Sequence, residues 1–225
     1  MQIKKDLEKL TNKEKAEIFQ RFFKTKKGEY GEGDIFLGIS VSEQRNVANK
    51  YLNLSLSELQ ELLNSKIHEH RLTALLILIQ KENNKDLINF YLKNTKNINN
   101  WDLVDCSAHK VLGEYLIDKD KSILYKLAKS NNLWEKRIAI ISTFYFIKNN
   151  QFEDTLKISE ILLQDKHDLI HKAVGWMLRE IGKRDLEKEE NFLKKYYKEM
   201  PRTMLRYAIE RFEEIKRQDY LKNKV

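Results

Sequence analysis

His70-Arg71-Leu72-Thr73-Ala74-Leu75 decides the fold of this chain, because segments of the same kind return downstream. Lys136-Arg137-Ile138-Ala139-Ile140-Ile141, His171-Lys172-Ala173-Val174-Gly175-Trp176 and Arg202-Thr203-Met204-Leu205-Arg206 each open on one or two basic residues. Small and aliphatic residues then follow. Around these segments the apolar positions recur at intervals of three and four, as in Ile67-Arg71-Ala74-Leu75-Ile77-Leu78 and Ile158-Ile161-Leu162. That spacing puts them on one side of an α-helix. Connectors such as Asn94-Thr95-Lys96-Asn97 and Ser130-Asn131-Asn132 are short and rich in residues that cap helices. No long segment alternates with period two, and a single proline, Pro201, interrupts the chain. The expected class is all-α.

The intervals between the segments, roughly thirty to forty residues with a further helix expected over Asp102 to Leu116, suit helix-pair repeats of the HEAT kind. Each such unit buries its apolar face only against its neighbours. The expected architecture is an α-α superhelix of HEAT-like repeats forming one domain over residues 1–225. Its inner helices would carry the basic starts and line a concave basic groove. Ordinary solvent-facing Lys and Arg would give the same pattern.

Composition agrees with a folded chain: 41% of residues are hydrophobic and 34% charged, which excludes a disordered polyelectrolyte. No apolar run approaches a membrane span, and the start, Met1-Gln2-Ile3-Lys4-Lys5-Asp6, lacks the apolar core of a secretion signal. Cys106 is the single cysteine, so no intrachain disulfide forms; a reducing, cytoplasmic location is expected. The formal charge of +8 favours a polyanionic partner, though lysine-rich proteins reach such values without one.

Chemistry concentrates in Trp101-Asp102-Leu103-Val104-Asp105. Residues four apart share a helix face, so Trp101 and Asp105 project side by side. An indole beside a carboxylate suits a small positive centre. Lys172, Trp176, Arg179 and Lys183 follow at steps of four, three and four, a basic stripe interrupted by an indole. A single tryptophan in a helical protein is more often packing, and Trp134 is assigned to the core. The co-occurrence of Trp101, Asp105 and the Trp176 stripe favours a site.

Other chemistries find little support. His167 and His171 have helical ligand spacing, but Asp168-Leu169 follows where HExxH needs its glutamate; no metal is expected. No nucleophile elbow or dinucleotide fingerprint exists. Lys26 to Gly38 is Gly-rich, yet it lacks the phosphate-loop order and carries the acidic Gly31-Glu32-Gly33-Asp34; it is expected to be a long turn.

Phe36-Leu37-Gly38-Ile39, Trp101 to Asp105, Leu133-Trp134-Glu135-Lys136-Arg137-Ile138-Ala139 and Lys172 to Glu180 together carry a resemblance. From about Ala16 to about Phe212 the chain resembles the DNA alkylation repair family of AlkD-type glycosylases, built from HEAT-like repeats. The resemblance implies that Asp105 is the catalytic carboxylate, that Trp101 and Trp176 flank it, and that Arg137 meets the DNA backbone. It implies a monofunctional hydrolase, without a cofactor, acting on N3- and N7-alkylated purines such as 3-methyladenine and 7-methylguanine in duplex DNA. Lys172, Arg179, Lys183, Arg202 and Arg206 are expected to contact DNA phosphates from a monomeric protein. Lys26 to Asp34 departs from the family's common pattern by being longer and more Gly-rich. Two further classes remain open: a non-catalytic binder of damaged or branched DNA, and a protein-binding helical scaffold.

Overall fold

The computed structural model describes residues 1–225. In chain order its helices are α1 (Gln2–Glu8), α2 (Lys13–Phe22), α3 (Val41–Ala48), α4 (Leu56–Leu63), α5 (His68–Leu78), α6 (Lys85–Lys93), α7 (Trp101–Ala108), α8 (Glu114–Leu116), α9 (Ser122–Ala128), α10 (Leu133–Lys148), α11 (Glu153–Ile161), α12 (Asp168–Gly182), α13 (Leu186–Tyr196), α14 (Arg202–Ala208) and α15 (Glu214–Leu221). The all-α expectation is met: strand-like pairing is confined to one isolated bridge between Ile35 and Ile67. No helix is long and apolar enough to cross a membrane. The contacts divide the chain into two units, Met1–Ser107 and Ala108–Val225.

In the first unit α5 is the core, with every residue from His68 to Leu78 buried. It packs against α1, α3 and α4. The neighbouring helices start where short polar side chains take up orphan amides. Ser40 with Glu43, and Ser55 with Glu58, form reciprocal capping boxes at α3 and α4. The α5 residue Glu69 turns inward and accepts the amides of Leu37, Gly38 and Ile39 at 3.0, 2.8 and 3.3 Å. Gly38 needs its freedom: its φ is +81°, and a Cβ there would lie 2.6 Å from the Ala16 amide nitrogen of α2. By contrast α2 buries none of its residues.

The Gly-rich stretch is a turn-rich loop, as expected, and its acidic residues serve the loop itself. Glu29 accepts the Lys26 amide at 2.8 Å and Glu32 accepts the Gly28 amide at 2.7 Å. Asp34, at its end, is buried.

In the second unit α9 and α10, α11 and α12, and α13 and α14 follow one another as pairs, and α12 packs on both α10 and α14. This is helix-pair repetition of the kind the recurring segments suggested. Gly175 lets α12 approach α14 closely, since a Cβ there would lie 2.5 Å from Tyr207 Cβ. A π-helical turn, His109–Gly113, precedes α8.

The basic starts occupy the early turns of α5, α10, α12 and α14, but two of the cations expected to line a basic groove, Arg71 and Arg137, are turned inward. Arg71 and Arg137 are each only 5% exposed. The physical reason is hydrogen-bond demand at the helix entries. Arg71 Nη1 donates to the Ser65 carbonyl at 3.2 Å, and Arg137 Nη1 to the Leu169 carbonyl at 2.5 Å. A planar guanidinium with five donors lets Arg71 serve the Ser65 carbonyl and the Asp34 carboxylate at once.

Candidate functional site

Helix α7 separates its residues cleanly. Leu103, Val104, Ser107 and Ala108 are buried, whereas Trp101, Asp102, Asp105 and Cys106 are partly exposed. Trp101 and Asp105 therefore share the open side of one helix, as their spacing required. The Asn100 side chain accepts the Trp101 amide at 2.9 Å and fixes the first turn.

The indole of Trp101 is held by the end of α2. Phe23 stacks on it at 5.2 Å with planes 13° apart, and Phe22 meets it edge-on at 5.9 Å. Phe22 is itself 60% exposed. The two phenylalanines also border a cavity of about 190 Å³, lined further by Phe19, Phe36, Val41, His68 and Asp102, among others.

Beside the cavity four ionisable groups meet. His68 Nε2 lies 2.8 Å from Asp102 Oδ2, and its Nδ1 lies 3.1 Å from Asp34 Oδ2. Arg71 Nη2 donates to the same Asp34 oxygen at 2.6 Å. Burial disfavours a charged imidazole, but the Asp102 and Asp34 carboxylates outweigh it and push His68 up to about 9. Burial likewise works against the Asp34 anion, yet the hydrogen bonds from His68 and Arg71 hold it below the usual carboxylate range. His68 thus bridges two carboxylates, one of which also takes Arg71.

In the second unit Trp176 is partly exposed on α12, 5.8 Å from Phe144, whose ring also meets His109 at 5.5 Å. Its indole nitrogen donates to Glu180 at 3.2 Å. Glu180 also pairs with Lys183 at 2.5 Å and lies 3.9 Å from Arg179, which bonds Glu210 as well. Lys172 pairs with Asp168 at 2.6 Å. The stripe of cations thus carries its own counter-charges, which weakens its long-range field. Arg202 is exposed, with its guanidinium on the Leu221 carbonyl. Arg206 is exposed and has no carboxylate within ion-pair distance. Arg137 is buried as described. Trp134 is core, 7% exposed. His167 caps α12 by accepting the Leu169 amide at 3.1 Å, and His171 Nε2 donates to the Asp165 carbonyl at 2.5 Å. His167 thus caps its helix, and His171 ties α12 to the segment before it.

Three features escaped the sequence reading. Glu180 was legible, lying four residues after Trp176 and three before Lys183. The Phe22–Phe23 clamp and the Asp34–His68–Asp102–Arg71 set had no local signal, because their members are brought together from distant segments.

Residues 3–212 match the family model described as DNA alkylation repair enzyme. Among solved structures, a predicted DNA alkylation repair enzyme from Enterococcus faecalis superposes with a TM-score of 0.72 at 16% identity, covering 91% of this chain and 97% of that one. AlkD2 from Streptococcus mutans gives 0.61 at 16% identity, covering 90% and 99%, and smu.31 from Streptococcus mutans UA159 gives 0.58 at 19%, covering 75% and 89%. No curated protein matches the chain. These structural likenesses show a shared helical-repeat fold. With the family match spanning nearly the whole sequence, the chain belongs to the family of DNA alkylation repair enzymes.

Proposed function

We propose that this protein is a DNA glycosylase that hydrolyses the N-glycosidic bond of cationic N3- and N7-alkylated purines in duplex DNA. The observation that carries the reading is the pairing of Trp101 with Asp105 on the open side of α7, in a chain of the alkylation repair family. Alkylation leaves the purine positively charged, so the base departs neutral. The electron pair of the C1′–N bond goes to the ring, and no acid is needed to protonate the leaving group. The sugar develops oxocarbenium character. A carboxylate is the matching partner: Asp105 stabilises that charge and orients a water whose oxygen bonds C1′ while its proton leaves through the carboxylate or solvent. Water is the only co-reactant.

Trp101, held flat against Phe23, offers the sugar cation a π face beside that anion. Trp176 is proposed for the same work on the grounds of the resemblance. Lys172, Arg179, Lys183, Arg202 and Arg206 would meet phosphates, which position a duplex without reading its sequence. To do so, the paired ones must exchange a carboxylate for a phosphate. Arg137 would act mainly by holding the Leu169 turn that leads to Lys172.

The test is release of 7-methylguanine and 3-methyladenine from methylated DNA by the purified protein. In single turnover Asp105→Asn should lower release by about a hundredfold or more, with DNA affinity near wild type. Unchanged release with a lowered melting temperature would make Asp105 structural. DNA binding without release by the wild type would overturn the glycosylase reading in favour of a non-catalytic DNA binder.

A further inference from the structure

We infer that His68 is a positioning residue for Trp101, acting on the start of α7 through Asp102 and on the indole face through a cluster of phenylalanine rings. His68 is 1% exposed and spends both ring nitrogens on carboxylates from different segments, Asp34 of the Gly-rich loop and Asp102 of α7. Asp102 is the residue next to Trp101, so the ion pair fixes the backbone that carries the indole.

The second route runs through aromatic faces. Phe36 stacks on the imidazole at 4.5 Å with planes 21° apart. Phe23 touches both rings, 4.9 Å from Phe36 at 19° and 5.1 Å from the imidazole at 37°, and Trp101 stacks on Phe23 at 5.2 Å and 13°. A cationic ring in such a cluster gains from the π faces it touches. The same histidine therefore restrains Trp101 along the chain and across the rings. It also ties in the aromatic end of α2, a helix that buries none of its residues.

Charge arithmetic explains why a histidine stands there. Asp34 and Asp102 contribute two negative charges, and Arg71 and protonated His68 two positive ones. Replacing His68 with a neutral side chain leaves one uncompensated anion in a poorly hydrated place, and the accessible way out is for Asp102 to swing toward water. That motion starts in the first turn of α7. A purely structural ion cluster would behave differently: its loss lowers stability and leaves the indole's surroundings in the folded molecule alone.

The experiment uses the full chain. In a Trp134→Phe/Trp176→Phe background Trp101 is the single indole, and its emission and acrylamide quenching report its surroundings without any need for activity. His68→Gln should shift that emission to the red and raise quenching at a temperature where the protein is fully folded. Asp102→Asn, which keeps its shape and loses one charge, should do the same and serves if His68→Gln does not fold. In the chain with its own tryptophans, His68→Gln should lower 7-methylguanine release per folded molecule by tenfold to about a hundredfold at unchanged DNA affinity. This second arm rests on the glycosylase reading; the first does not. If the wild type releases no base, that reading fails and the fluorescence alone decides the role of His68. Unchanged Trp101 emission and quenching in folded variants would overturn the inference, whatever happens to release.

Discussion

Gly175→Ala puts the packing of α12 to a quantitative test. A Cβ at this position would sit 2.5 Å from Tyr207 Cβ and closer still to the Met204 carbonyl oxygen, whereas ordinary contact begins at 3.4 Å. The two helices would have to part by about 0.9 Å, the difference between those two distances. Neither obstacle can rotate away, since one is backbone and the other is fixed to it. Overpacking of this sort costs on the order of 3 kcal/mol, the upper end of its usual range. Alanine returns about 1 kcal/mol through its better helix propensity. A net loss of about 2 kcal/mol should lower Tm by roughly 4 to 8 °C in a protein of this size. Calorimetric melts of wild type and variant read this directly. Tyr207→Gly removes one obstacle, so the double variant should lose less than the sum of the two single losses. A melting temperature equal to or above wild type for Gly175→Ala would refute the reasoning. It would mean that propensity alone acts and that α12 and α14 are not in tight register. The residue after Gly175 is Trp176, so on the proposed glycosylase reading the same displacement should also lower base release.

The salt dependence of DNA binding should distinguish free cations from paired ones. Arg206→Ala should make the slope of log affinity against log salt shallower by about one unit. Lys172→Ala, Arg179→Ala and Lys183→Ala should each change it by less, because Asp168, Glu210 and Glu180 already compensate them; equal effects at all four positions would contradict this ranking. Stability should fall on the alkaline side. His68 is raised from 6.5 to about 9, so its contribution is complete below pH 6.5 and is lost as pH rises through 9. Asp34, Asp102 and Arg71 are the charged groups facing it. Burial and the neighbouring Glu190 charge, against the weaker pull of Arg179 and Lys216, raise Glu189 from 4.5 to about 8, so stability also declines as pH rises from 4.5 to 8, where the folded state must keep a proton that the unfolded chain has lost. The melting temperature should be lower at pH 9.5 than at pH 6 by on the order of 5 °C. Glu189→Gln should remove part of that difference, and a flat profile in the wild type would show that neither group is buried as described.

Much of the architecture was readable from local pattern. The three-and-four spacing of apolar residues, the capping residues in the connectors and the scarcity of proline all act within one or two helical turns, so they specify helices whatever the neighbours do. The shared face of Trp101 and Asp105 belongs to the same class, because helix geometry alone puts residues four apart together. Trp134 in the core and the Gly-rich segment as a turn also followed from local character. The fate of the charges did not. Whether Arg71 and Arg137 face water or a carbonyl depends on segments outside their own helices, the connector at Ser65 in one case and the first turn of α12 at Leu169 in the other. His68 looked like an isolated histidine until Asp34 and Asp102 closed on it from 34 residues away on either side. Phe22 and Phe23 were two apolar residues at a helix end until the fold set them against Trp101. Side-chain electrostatics is decided by distances across the fold, and a one-dimensional period carries no information about those. Helices were therefore determined by the sequence itself, while the partners of its charged and aromatic side chains were decided only when the helices packed.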